Sequence, residues 1–229
     1  MDNAQAFVIE NGTLIEYTGS DPVAIIPQGV HALREGAFFA QPHLKRVVIP
    51  QGITSLPDAL FHSCENLRSV VIPEGVTAIG NGAFFRCQKL LYLSLPRSLV
   101  TLGSGAFQGC QNISYVVLPE GLTTLGDGVF MECKGLRSVT LPRTLTSIGK
   151  QAFCLCESLE SIRLPEGITT VRERTFDGCK KLQLVRLPER VHSVEFGAFR
   201  FCEELVLSGP ADSYGQSFAC ENGIMFMVD

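Results

Sequence analysis

Nine cysteines and four histidines are the residues of this 229-residue chain with most chemistry to offer. A cysteine beside a histidine makes a thiolate nucleophile, and clusters of both hold zinc. Their spacing argues against either use. Cys64, Cys87, Cys110, Cys133, Cys156, Cys179 and Cys202 follow one another at a constant step of 23 residues, the mark of a structural repeat. If each repeat supplies one strand, successive thiols lie about 4.8 Å apart, a distance at which neighbours could be bridged. Parallel coils aim their Cβ atoms the same way, however, and an odd ladder cannot pair completely. The column is expected to be buried free thiols acting as small apolar fillers. Cys154 and Cys220 stand outside it and are the expected reactive thiols.

The histidines fare no better as ligands. His31 and His192 hold the same slot seven repeats apart, roughly 34 Å at one strand spacing per repeat, too far to share a metal. His62 precedes Cys64 by two residues, but Cys64 is committed to the column. No glycine-rich phosphate loop follows a strand, because the glycines recur with the repeat and serve turns. Asn11-Gly12-Thr13 and Asn112-Ile113-Ser114 match the glycosylation triplet, which matters only in a eukaryotic secretory setting. The chain is therefore expected not to be an enzyme and to require no metal and no cofactor.

The elements that carry these residues follow from the same 23-residue step. Proline keeps it from Pro27 to Pro188, and phenylalanine from Phe38 to Phe199, without an insertion across eight units. Val70 and Ile72 alternate with Ser69 and Val71, the period of a short strand with one face inward, and such pairs recur as Val47/Ile49, Val116/Leu118, Val139/Leu141 and Val185/Leu187. Proline ends each strand, and Pro-Glu-Gly suits a type I turn with proline second and glycine fourth. Phe84, Cys87 and Leu90 stand three apart, which fits a short helical or 3₁₀ turn behind the sheet. Departures are few. Gln41 replaces the first cysteine, Ser98, Thr144 and Arg190 replace the turn glycine, and Arg172-Glu173-Arg174-Thr175 implies a local loop difference.

The pattern Leu67-x-x-Val70-x-Ile72-Pro73-x-Gly75-Val76-x-x-Ile79-Gly80-x-x-Ala83-Phe84-x-x-Cys87-x-x-Leu90 resembles the BspA-type leucine-rich repeat. The resemblance covers nearly the whole chain. It implies an α/β repeat solenoid: right-handed, with a parallel β-sheet on the concave face, short helical or 3₁₀ turns behind, a hairpin cap and a helix-strand cap. A single domain over residues 1–229 is expected, with the hairpin cap at 1–22, eight repeats at 23–208 and the carboxy-terminal cap at 209–229. Asn11-Gly12 is a strong hairpin signal. Asp212-Ser213 suits a helix start, Asn222-Gly223 its stop, and residues 224–228 a last strand.

With 45% hydrophobic residues the chain can fill one core, and a formal net charge of −4 argues against a nucleic-acid binder. No apolar run approaches the roughly 18 residues of a membrane span, and the start, Met1 to Phe7, lacks a basic stretch followed by an apolar one. The sequence specifies no oligomeric state. The resemblance implies a location outside the cell or on its surface. It also implies recognition of a protein or anionic glycan on the concave strand face, in adhesion or interaction. A spacer module within a larger surface protein is the alternative.

Three outward columns define that face. They place Lys45, Arg68 and Arg137 on one line, Arg46, Tyr92 and Tyr115 on the next, and Arg163 and Arg186 on the third. Six cations meet one carboxylate, Glu160, in a chain of negative net charge. These cations either solvate the sheet or, with Arg163 beside Arg186 and Tyr92 stacked on Tyr115 as an aromatic platform, hold an anionic partner. The column Glu74, Arg97, Glu120, Arg143, Glu166 alternates in sign and is expected to support register. A further column, Phe39, His62, Phe85, Gln108, Met131, Cys154, Asp177 and Arg200, is expected to be partly buried by the next coil, with a partner patch on the outer edge as the alternative.

Overall fold

A strand with one inward residue between two outward ones needs a partner on each edge and a filler beneath, and a 23-residue coil supplies both by stacking on its neighbours. The computed structural model describes residues 6–229. The first five residues of the expected amino-terminal cap and export-signal reading lie outside the described residues. Val23–Ile25, Arg46–Val48 and Ser69–Val71 form one parallel sheet. Tyr115–Val117, Ser138–Thr140, Ser161–Arg163, Leu184–Arg186, Val206–Gly209 and Met225–Val228 form a second, six-stranded one in the same file. Val47, Val70, Val116, Val139, Ile162 and Val185 point inward and are buried. Between the two sheets, Tyr92 is tied to Ser69 by a single parallel bridge.

A second file of two-residue parallel strands lies after the proline corner, as in Ser55–Leu56, Ala78–Ile79 and Thr101–Leu102. Its inward members Leu56, Ile79, Leu102, Leu125, Ile148 and Val171 are anchors of the repeat that the sequence reading left without a strand. The corner itself differs from expectation. Val76 N–H donates to Pro73 O at 3.5 Å, so proline is first in the turn and Gly75, at φ 98°, is third.

The turns behind the sheet are not helical. His62 N–H donates to Ala59 O and Cys64 N–H to Phe61 O, each at 3.0 Å, but Phe61 and Ser63 instead donate to Ala83 and Phe85 of the next coil. Ala59 and Ser63 sit at φ 52° and 60°, left-handed positions that interrupt any helix while aiming alternate N–H groups across the coils. Residues 172–175 keep this backbone, contrary to the expected loop difference. Arg174 takes φ 53° and donates to Phe196 O, and Phe176 donates to Ala198 O.

Two ladders run through the core. Phe38, Phe61, Phe84, Phe107, Phe130, Phe153 and Phe176 are fully buried, with successive ring centroids 5.0 to 5.7 Å apart. Beside them each column thiol donates to the carbonyl of a phenylalanine in the preceding coil: Cys87 to Phe61 O at 3.2 Å, Cys110 to Phe84 O at 3.1 Å, Cys133 to Phe107 O at 3.1 Å. Burial pushes the Cys64 thiol up to about 12. Cys154 is corrected from reactive to buried: it is 6% exposed, and burial raises its thiol to about 11. Cys220, on the last helix, is exposed.

The caps adopt the contacts of the coils they cover. Phe7–Glu10 and Thr13–Tyr17 form an antiparallel hairpin about Asn11 and Gly12, both left-handed, and Thr13–Tyr17 continues in parallel into Ala32–Leu33 of the second file. Tyr17 stacks on Phe38 at 5.1 Å, and Gln41, in the place of the missing cysteine, donates to Tyr17 O at 2.9 Å. At the far end Ser213 caps the helix Tyr214–Glu221, whose Phe218 meets Phe199 at 6.3 Å. The strand Met225–Val228 then extends the main sheet.

Phe107→Ala is expected to destabilise by about 3 to 5 kcal/mol in denaturant unfolding, as large-to-small core changes do; a loss under about 0.5 kcal/mol would contradict its place in the stack. Native alkylation near pH ~8 is expected to modify Cys220 first, with Cys154 and the column reacting only on unfolding. Rapid labelling of Cys154 and of the column from Cys64 to Cys179 in the folded protein would contradict their burial.

Candidate functional site

Side chains alternate across a strand, so what the core does not use is presented outward on the strand file. Tyr92, Tyr115 and Val117 are 69%, 64% and 62% exposed, and Val71 and Leu91 adjoin them as exposed apolar residues. The face is thus apolar and aromatic at mid-array, more so than its charge count suggested. Lys45, Arg46 and Arg68 flank this patch on one side, with Arg137 and Arg163 on the other, all exposed. Among the described residues these five cations make no ion pair.

Arg186 behaves differently. It lies in register beside Arg163, as expected, but its guanidinium contacts Glu166 at 3.0 Å and Asp229 at 2.6 Å. Asp229 reaches it because the strand Met225–Val228 closes the sheet next to Val206–Gly209. An anion offered to the Arg163–Arg186 pair therefore meets one committed cation and one free one. The aromatic platform is also modified. The aromatic contacts among the described residues do not include Tyr92 with Tyr115; the two rings belong to strands on either side of the interruption in the sheet.

The alternating turn column does support register, by a route the sequence did not reveal. Glu74 accepts from the backbone N–H of Arg97 at 3.2 Å, and Glu120 from that of Arg143 at 3.0 Å. Ser98, in a glycine's place, accepts from Gly75 N–H at 2.9 Å and donates to Val76 O at 2.8 Å.

On the outer turn, Phe39, His62 and Phe85 stack at 4.9 and 4.6 Å, and Phe39 is 53% exposed. His62 Nδ1 lies 3.0 Å from Ser63 Oγ, while Cys64 Sγ donates to Phe38 O, so the two do not form a nucleophile and base. Burial, with the nearby Arg86 charge, lowers the His62 pKa. Farther along, Asp177 is buried and holds Arg200 through two bonds of 3.2 and 2.9 Å, as partial burial of the column implied. Among the described residues no group of three His, Cys, Asp or Glu side chains converges as a metal site would require, and no helix is long and apolar enough to cross a membrane.

Comparison with known proteins agrees with this geometry. The profile of the BspA type Leucine rich repeat region matches residues 22–137 and 123–207, in six copies. No curated protein matches the chain. Among solved structures, the leucine-rich repeat protein of T. pallidum is 25% identical, with a TM-score of 0.64 over 98% of this chain and 96% of that one. A leucine rich cell surface protein from Faecalibacterium prausnitzii shares the fold at 20% identity, with a TM-score of 0.59 over 97% of this chain and 92% of that one. A repeat of 23 residues, its stacked strand file and a profile match over most of the chain lead to one conclusion: the protein belongs to the BspA-type leucine-rich repeat family.

Proposed function

We propose that the protein is a non-catalytic recognition scaffold that holds a protein or anionic glycan partner on its strand face, in a surface-associated adhesion or interaction role. The family supports a protein-interaction or scaffold module at the coarser level. One observation carries the finer reading: a single face collects an exposed apolar and aromatic patch, Val71, Leu91, Tyr92, Tyr115 and Val117, between unpaired cations. An exposed apolar patch rimmed by charge is the common form of a partner surface, with aromatics at its centre and cations steering association. The likeness to a neighbour described as a cell surface protein supports the location.

Arg137→Glu/Arg163→Glu tests this reading and leaves Arg186 in its ion pairs. The intact protein and the variant would be screened against acidic glycans and extracellular matrix proteins at two salt concentrations. A hit that weakens with salt and is at least about fivefold weaker for the variant is expected. Binding unchanged by both the reversal and salt would overturn the face assignment, and no hit for either protein would favour a spacer without a ligand of its own.

A further inference from the structure

The strand file is open at one place. In other coils, alternate residues reach across to the neighbour: Arg46 N–H donates to Pro22 O at 3.0 Å, Ile26 N–H to Val48 O at 3.1 Å, and Leu164 N–H to Arg186 O at 3.0 Å. The equivalent groups belong to Tyr115 and Val117. Among the described residues, no backbone hydrogen bond joins residues 91–95 to residues 114–118. Behind the gap the coils stay joined, with Phe84 N–H on Ala106 O at 2.8 Å and the Phe84 and Phe107 rings 5.0 Å apart. The second file is also unpaired there, Thr101–Leu102 and Thr124–Leu125 belonging to separate sheets, so the opening runs along both strand files while the ring stack and the outer turn stay joined.

A groove of about 640 Å³ fills it, lined by Leu93, Leu95 and Leu118 with Tyr115 and Val117. Leu93, on the inward line of Val47, Val70, Val116 and Val139, is only partly buried where they are buried. The strand Tyr115–Val117 is bonded to Ser138–Thr140 on its other side, so Tyr115 and Val117 offer an ordered edge of free N–H and C=O groups.

An alternation of donors and acceptors along an extended edge is matched by another extended backbone, which replaces water with a ladder of hydrogen bonds. The lining selects apolar side chains at alternate positions of such a segment. Arg68 and Arg137, one coil removed on either side, favour acidic residues between them. We infer that this groove takes an extended peptide segment of a protein partner, apolar at alternate positions and acidic between, whose backbone pairs with the free edge of Tyr115–Val117. The inference rests on the strand-face reading above and narrows the partner to a protein.

The probe is an end-blocked peptide of alternating valine and glutamate, beside the same peptide N-methylated at alternate amides. Amide hydrogen exchange of the intact protein is followed with each. In the free protein Tyr115 and Val117 are expected to exchange at least about tenfold faster than Ser138 and Thr140, because unpaired amides open without unfolding. The unmodified peptide slows Tyr115 and Val117, and the methylated one, lacking the N–H row, does not. Protection of both amides in the free protein overturns the open edge. Equal binding of the two peptides overturns backbone pairing, and protection that rises with protein concentration alone assigns the groove to a second copy instead. Loss of the peptide effect with a salt-sensitive hit retained leaves the strand-face reading standing and the groove assignment fallen; the reverse pattern separates them the other way.

Discussion

Constant coil length is the constraint on which this molecule depends. A 23-residue step places each phenylalanine ring against the next, and each column thiol within reach of the carbonyl of a phenylalanine in the coil before it. One inserted residue would shift every later contact of that coil, and the stack leaves no void to absorb the shift. The thiol suits this place because it is small, apolar and still able to donate to a phenylalanine carbonyl that also accepts an N–H within its own turn. Gln41 repeats the same donation to Tyr17 at the amino-terminal end, where a longer arm spans the distance to the hairpin.

Because the core takes one strand residue of each alternating set, the outward residues are left without a packing role. That freedom explains how the strand file collects Tyr92, Tyr115 and Val117 beside five unpaired cations, while the turn column and outer turn spend their polar groups on neighbouring coils. The place where the first strand file parts company, at Leu91 to Leu95, coincides with the most exposed aromatic residues of that face. Rigidity behind and an open edge in front are compatible because different contacts maintain them. The ring stack and the turn bonds hold the coils, whatever the strands do.

Much of the fold was legible in the sequence, since period-23 anchors fix which residues are inward, and Asn11-Gly12 and Asp212-Ser213 announce the caps by local chemistry. The left-handed turns were less legible. Ala59, Ser63 and Arg86 carry no signal for a positive φ, which is imposed by bonds to the next coil. The site was read in part. The face and its cations follow from strand alternation, whereas the capture of Arg186 by Asp229 depends on how the last strand docks. The burial of Cys154 likewise depends on neighbouring coils, and the residue type at Leu93 does not announce the gap, since Leu207 on the same inward line sits in a paired strand.

Hydroxyl-radical footprinting of the intact protein with poly-glutamate as an acidic polypeptide tests most directly whether the strand face is the recognition surface. Both alternatives present aromatic reporters in the free state: Tyr92 and Tyr115 on the strand file, Phe39 and Phe196 on the outer turns. Recognition on the strand face requires oxidation of Tyr92 and Tyr115 to fall on binding, with Phe39 and Phe196 unchanged. Protection of Phe39 or Phe196 while both tyrosines stay reactive would contradict it.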